Sequence, residues 1–153
     1  MQDDLQKARN YAFLLLKFRP RSEKEIFARL EKKKFAPEII KETVAFLKEK
    51  KFIDDAYFTQ VWIESRLKKP LGFRRLRQEL KIKGIISELI DSQIEETKKN
   101  YCEEEIVSKI VRERVGRLKR LEPQKLKRRL FAYLLRRGFS PQVITDAINQ
   151  IKI

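Results

Sequence analysis

The sequence contains no histidine and one cysteine, Cys102, among its 153 residues. Histidine is the side chain that most often serves as a general base or a metal ligand near neutral pH, so its absence removes the commonest acid–base and hydrolytic sites. A single cysteine cannot supply a zinc cluster or an intramolecular disulfide. These absences argue against an enzyme, and we expect no catalytic residue, no metal site and no cofactor.

Glycine is scarce as well. Its four residues lie far apart in the chain, at Gly72, Gly84, Gly116 and Gly138. Isolated glycines cannot form a P-loop or a dinucleotide-binding loop, so the sequence has no ATP site of that kind. The adjacent carboxylates of Asp54 and Asp55 could hold Mg²⁺, but an acidic pair ahead of an apolar segment is better explained as the start of a helix.

No apolar run approaches the roughly 18 residues that a membrane-spanning helix requires. The first residues, MQDDLQKARNYAF, carry two acids and lack the apolar stretch of a secretory signal. A lone cysteine suits a reducing compartment. We therefore expect a cytoplasmic protein that has no membrane partner.

Few helix breakers, together with abundant Lys, Glu, Leu and Ile, favour an all-α chain, and its length suits a single domain. Apolar residues recur in this chain with a period of about fifty residues. Leu30 is followed at offsets of 5, 9, 10 and 14 by apolar residues, and the same offsets after Leu80 and Leu134 are also apolar. The pattern predicts one domain, 1–153, built from three tandem three-helix repeats over 1–53, 54–100 and 101–153.

The predicted helices are 3–18, 22–33, 37–50, 54–69, 73–83, 87–99, 102–120, 123–137 and 141–152. Ser22 and Glu25 form a capping-box pattern, and Ser140 with Pro141 marks another helix start. Gly84 and Gly138 end two of the helices, but Lys34 occupies the equivalent place in the first repeat. A lysine in left-handed geometry costs about 1 kcal/mol, which predicts that this turn is built differently. Stacked repeats of this size form an elongated, curved solenoid.

The net charge of +15 is concentrated in two segments. Residues 66–83 contain eight Lys or Arg and one acid, and residues 112–137 contain eleven Lys or Arg and two acids. One such run is typical of a solvated face. Two runs at comparable helix junctions of successive repeats predict a basic track along a shared edge. Such a track would bind phosphates with little sequence preference and with strong salt dependence.

Four segments of the chain, in order, resemble the RecX family of regulatory proteins. They are RPRSEKEIFARL in the first repeat, IDDAYFTQVWIESR and LRQELKIKGI in the second, and LLRRGFSPQVITDAI in the third. The resemblance covers essentially the whole chain. Two positions depart from the family pattern: Thr59 stands where a small Ala is usual, and Lys34 replaces the expected Gly. Both concern local packing rather than the basic segments.

The resemblance implies a monomeric, three-repeat protein that modulates the RecA recombinase, in the setting of DNA repair, homologous recombination and the SOS response. Members of the family lie along the groove of the filament that RecA forms on single-stranded DNA. There they restrain RecA ATPase, strand exchange or filament growth. Two other readings stay open: a stand-alone basic helical protein that binds DNA or RNA directly, and a helical scaffold whose basic surface is incidental.

On the first reading, the residues expected to bind RecA or DNA are the cations of the two basic segments. They are Arg66, Lys68, Lys69, Arg74, Arg75, Arg77, Lys81, Lys83, Lys125, Arg128, Arg129, Arg136 and Arg137.

Overall fold

The computed structural model describes residues 2–151, and this part of the chain consists of nine α-helices without a strand. In chain order the helices are α1 Gln2–Phe18, α2 Glu23–Lys32, α3 Pro37–Glu49, α4 Asp55–Arg66, α5 Phe73–Ile82, α6 Ser87–Thr97, α7 Glu103–Arg117, α8 Pro123–Arg136 and α9 Pro141–Asn149. The predicted all-α repeat fold is confirmed. Helices α4 and α7 each end three residues earlier than predicted, and the end predicted for α9, at Lys152, lies outside the described residues.

The described chain divides into two compact units. The first unit extends to Trp62 and includes Leu80–Ile90. Its core joins α1, α2 and α3 through Ala8, Ala12, Leu15, Ile26, Leu30, Ile40, Val44 and Leu47. Helix α2 begins with the predicted capping box: the Ser22 hydroxyl accepts the Glu25 N–H and the Glu25 carboxylate accepts the Ser22 N–H, both at 3.2 Å.

The second unit consists of Ile63–Glu79 and the chain from Asp91 onward. Its core joins α7, α8 and α9 through Val107, Val111, Leu126, Leu130, Leu134, Phe139, Ile144 and Ile148. Helix α9 begins as predicted, because the Ser140 hydroxyl accepts the Val143 N–H at 3.3 Å and Pro141 occupies the first turn.

The turn after the second helix is the same in all three repeats, so the expectation of a different turn at Lys34 is wrong. Lys34 has a φ of 65°, close to the 82° of Gly84 and the 92° of Gly138. In each repeat the residue after this position donates its N–H to the carbonyl of the leucine five residues before it. Phe35 donates to Leu30 at 3.4 Å, and the same bond reaches Leu80 and Leu134 in the other two repeats. Lys34 is exposed, so its side chain lies in solvent, and the cost of the turn is mainly that of the left-handed backbone.

Candidate binding surface

The second helices of the first two repeats, α2 and α5, each begin with a backbone N–H that donates to a carboxylate from further along the chain. In the first unit the backbone N–H of Glu23, the first residue of α2, donates to Asp55 at 2.9 Å. In the second unit the N–H of Phe73, the first residue of α5, donates to Glu103 at 2.7 Å. Burial raises the pKa of both carboxyl groups, and the hydrogen bond from the backbone offsets part of that rise. The bond at Phe73 holds the start of α5, which carries Arg74 and Arg75.

The acidic pair at the start of α4 therefore has two different roles. Asp54 caps its own helix, as predicted, by accepting the N–H groups of Ala56 at 3.0 Å and Tyr57 at 3.3 Å. Asp55 instead caps α2, which lies 32 residues away in the sequence. No local pattern distinguishes the two residues.

The two basic segments meet in the second unit where the start of α5 packs on the end of α8. The N–H of Gly72 donates to the carbonyl of Arg137 at 2.8 Å, and the N–H of Arg74 donates to the carbonyl of Gly138 at 3.1 Å. The Arg75 guanidinium donates to the carbonyl of Arg136 at 3.3 Å. Arg74 and Arg75 of the first basic segment are thus held beside Arg136 and Arg137 of the second.

This approach depends on two glycines. A Cβ on Gly72 would overlap the carbonyl of Gly138, and a Cβ on Gly138 would overlap the Cβ of Arg75. The first unit contains a related approach, in which the Ser22 hydroxyl donates to the carbonyl of Lys83 at 2.7 Å. There a Cβ on Gly84 would overlap the side chain of Lys24. The glycines after the second helices therefore allow close backbone packing as well as a left-handed turn.

Eight of the thirteen predicted binding residues are exposed. They are Lys68, Lys69, Arg74, Lys81, Lys125, Arg128, Arg129 and Arg136. Within residues 2–151, none of these eight side chains takes part in an ion pair. Those on α8 are spaced so that they share one side of the helix, while Leu126, Leu130 and Leu134 face the core. The exposed side of α8 is therefore a row of unpaired cations.

The other five predicted residues are half-buried, and four of them pair with acids of the chain. Arg66 makes a two-pronged contact with Glu79 at 2.8 and 2.9 Å, and Arg75 contacts the same carboxylate at 3.5 Å. Arg77 pairs with Asp91. These acids neutralise part of the first basic segment, which composition alone did not show.

Lys83 is the fourth residue of this kind. Its ammonium group lies 3.1 Å from a carboxylate oxygen of Glu25 and 5.1 Å from the centre of the Trp62 ring. Burial of Glu25 would raise its pKa, but hydrogen bonds from Arg19, the Ser22 N–H and Lys83 outweigh burial and lower the pKa below its usual value. Lys83 therefore helps to join α2 to the end of α5.

Arg137, the fifth half-buried residue, has a different environment. Its guanidinium carbon lies 5.6 Å from the centre of the Tyr133 ring, and that of Arg114 lies 3.4 Å from the same ring. The sequence-based interpretation singled out neither Arg114 nor Tyr133. A tyrosine beside a buried leucine gives no local signal that two arginines from different helices will share its ring.

Within residues 2–151, no cluster of three or more Cys, Asp or Glu side chains is arranged to hold a metal ion. In the same range no helix has the length and apolar character needed to cross a membrane.

Each of the three repeats matches a known protein-domain family. The chain matches the family models for the first, second and third three-helix domains of RecX over residues 8–47, 54–92 and 103–148. It is 34% identical over 150 residues to the regulatory protein RecX of Chlorobium phaeobacteroides, covering 97% of this chain and 95% of the relative. It is 30% identical over 142 residues to the regulatory protein RecX of Haemophilus influenzae strain PittEE, covering 92% of each chain.

The fold is also that of solved structures. The crystal structure of RecX from Lactobacillus salivarius superimposes with a TM-score of 0.83 over 98% of this chain and 97% of that one, at 19% identity. The resemblance seen in the four sequence segments is therefore confirmed by the domain matches, by the relatives and by the fold. This chain belongs to the RecX family of regulatory proteins.

Proposed function

We propose that this chain binds the filaments that RecA forms on single-stranded DNA and inhibits RecA ATPase, strand exchange and filament growth. The observation that carries the proposal is the row of exposed, unpaired cations on α8, which ends beside Arg74 at the start of α5. A cationic surface of this kind suits a polyanionic assembly. Membership of the RecX family supports the RecA filament as the proposed partner.

The repeated construction of the chain suits a repeated partner. We propose that the three repeats, 1–53, 54–100 and 101–153, act as one monomeric domain in the cytoplasm. Weak contacts from several repeats with neighbouring RecA protomers would then add through effective concentration. A protein bound across protomers opposes the movement between protomers that ATP turnover requires.

The exposure and ion pairs of the predicted residues support two different roles for them. We propose that the exposed cations Arg128, Arg129 and Arg136 contact the filament together with Lys68, Lys69, Arg74, Lys81 and Lys125. Arg66, Arg77 and Lys83 already bind carboxylates of this chain, so we expect their main effect to be on stability. Arg75 contributes to both roles, because it contacts Glu79 and also the carbonyl of Arg136.

The proposal is tested by measuring the single-stranded-DNA-dependent ATPase of RecA with increasing amounts of the chain. We expect the rate to fall, and we expect Arg128→Glu combined with Arg129→Glu to weaken the inhibition at least tenfold, because both charges are reversed on an exposed surface. Lys32→Glu combined with Lys41→Glu is the matched control, since both lysines are exposed and lie outside the proposed surface.

Two results would contradict the proposal. An unchanged ATPase rate at concentrations that saturate binding to bare DNA would favour the stand-alone nucleic-acid-binding protein. Equal losses of inhibition in both double variants would show that net charge matters, rather than this surface.

A further inference from the structure

The ring of Tyr133 on α8 contacts two arginines from different parts of the second unit. The guanidinium carbon of Arg114, on α7, lies 3.4 Å from the ring centre, and that of Arg137, just after α8, lies 5.6 Å from it. Both arginines are half-buried. Stacking on an aromatic ring holds each planar guanidinium in a defined orientation and restricts the freedom that an exposed arginine has.

Neither arginine has a counter-charge in the described part of the chain. No carboxylate between residues 2 and 151 forms an ion pair with Arg114 or Arg137, whereas Arg66 and Arg77 in the same unit both have one. The Nε atom of Arg137 is fully buried and has no hydrogen-bond acceptor. Two like charges at one ring and a buried donor without an acceptor are each unfavourable, and an anion bound here would relieve both.

The hydrogen-bond donors of the two guanidinium groups indicate which kind of anion the site would bind. Guanidinium groups present several N–H donors in a plane, which matches the oxygens of a phosphate. The surroundings are positive as well, because Arg136 is exposed beside Arg137 and the carbonyls of Arg137 and Gly138 hold the segment that carries Arg74. A chain of linked phosphates can engage these neighbouring cations one after another, which a free phosphate ion cannot do.

We infer that Arg114 and Arg137, stacked on Tyr133, bind a backbone phosphate of single-stranded nucleic acid. The single strand is favoured because both guanidinium groups are half-buried. A flexible backbone can bend toward recessed donors, whereas the phosphates of a stiff duplex follow its regular surface. This inference deepens the proposed function but does not need RecA, because it concerns binding of DNA by the chain itself.

The test measures binding of a fluorescent 20-nucleotide oligo-dT to the full chain by anisotropy at several salt concentrations. We expect Arg114→Gln and Arg137→Gln each to weaken binding about tenfold and to reduce the slope of log affinity against log salt by about 0.7. Lys109→Gln is the matched control, because Lys109 is exposed on α7 and its loss removes the same charge. Wild-type affinity in both arginine variants would overturn the inference, and so would an equal loss in the control.

A second measurement follows the wild-type chain itself and uses a variant only to assign one signal. In the wild-type chain, the Nε–Hε NMR signal of Arg137, assigned by its loss in Arg137→Gln, is expected to move on addition of oligo-dT, because the buried donor gains an acceptor. An unmoved signal at saturating oligo-dT would overturn the inference. A signal that moves with inorganic phosphate or a glutamate-rich peptide, but not with oligo-dT, would assign the site to another anion and would also overturn it.

The same protein preparations separate this inference from the proposed function. Loss of oligo-dT binding in the arginine variants with full inhibition of RecA ATPase would support the phosphate site and show that inhibition does not depend on it. Inhibition of RecA by a chain whose oligo-dT binding is unaffected by either arginine would overturn the phosphate site and leave the proposed function standing.

Discussion

The carboxylate of Glu103 lies 2.7 Å from the backbone nitrogen of Phe73 and accepts its hydrogen. The first N–H groups of a helix have no partner within the helix, and a buried one is costly when it is left unbonded. Here the partner is supplied by α7, 30 residues further along the chain. The bond therefore joins the second repeat to the third and holds the start of α5, where Arg74 and Arg75 lie.

Replacing Glu103 by alanine is expected to lower the free energy of unfolding by about 1–2 kcal/mol, because the N–H of Phe73 loses its acceptor. Urea unfolding followed by circular dichroism measures the loss. Glu105→Ala is the control: Glu105 also lies in the first turn of α7 but is exposed. Equal stability in the two variants would show that the bond at Phe73 contributes nothing measurable.

The stability contributed by Glu25 is expected to depend on pH. Its folded-state pKa is lowered, so between that value and its usual 4.5 the unfolded chain binds more protons. The contribution is therefore present above pH 4.5 and is lost as the pH falls through the folded-state pKa. Glu25→Gln should cost about 1–2 kcal/mol at pH 7, and the difference from wild type should shrink on acidification below pH 4.5. A difference that stays constant from pH 7 to pH 3 would contradict this.

Glu103→Gln is expected to show the opposite dependence on pH. Burial raises the pKa of Glu103, so the folded chain holds that proton more tightly than the unfolded chain does. The part of its contribution that depends on this proton is fully present below pH 4.5 and is lost as the pH rises through the raised pKa. Relative to Glu103→Gln, the wild-type chain should become less stable as the pH increases. Urea titrations of both proteins from pH 4 to pH 7 measure the trend. A wild-type chain that becomes more stable than Glu103→Gln as the pH increases would contradict the raised pKa.

Gly138→Ala is expected to destabilise the chain by more than about 2 kcal/mol, because the residue has a positive φ and its new Cβ would overlap Arg75. Gly116→Ala is the matched control: Gly116 lies inside α7, and a Cβ there meets nothing within 4 Å. The free energy of unfolding of Gly116→Ala should rise by up to about 1 kcal/mol, because alanine has a higher helix propensity than glycine. Thermal unfolding of the two variants distinguishes these outcomes, and a stable Gly138→Ala would show that the packing of α5 on α8 tolerates side chains.

Lys34→Gly is expected to stabilise the chain by about 0.5–1 kcal/mol, since Lys34 has a φ of 65° and an exposed side chain. The neighbouring Lys33 has a φ of −79°, so Lys33→Gly should have the opposite effect and cost a similar amount. Urea unfolding of the pair is decisive, because a loss of stability in both variants would show that the left-handed turn carries no strain.

The helices were predictable because their ends are marked locally. Ser22 with Glu25, and Ser140 with Pro141, make within a few residues the contacts that their spacing suggests. The turn at Lys34 was not predictable from residue type, since a lysine whose side chain is exposed can adopt a left-handed backbone. Local preference identifies where a helix stops, but the room around the side chain decides which residue the turn can hold.

The two basic segments of the candidate surface were predictable from the sequence. Which of their cations are exposed and which form ion pairs was not. Arg77 pairs with Asp91, whereas Arg74, three residues earlier, is exposed and unpaired among the described residues. Ion pairs of this kind link residues from different helices, so they depend on packing that composition does not reveal. Tyr133 illustrates the same limit, because Arg114 reaches its ring from α7.

Proline at the start of α8 has a consequence for how the repeats can be joined. Pro123 is the first residue of α8, as Glu23 and Phe73 are the first residues of α2 and α5, and the N–H groups of Glu23 and Phe73 each donate to a carboxylate of the following repeat. Pro123 has no such hydrogen to offer. A carboxylate bond of the kind that links the first repeat to the second and the second to the third therefore cannot form at the first residue of α8.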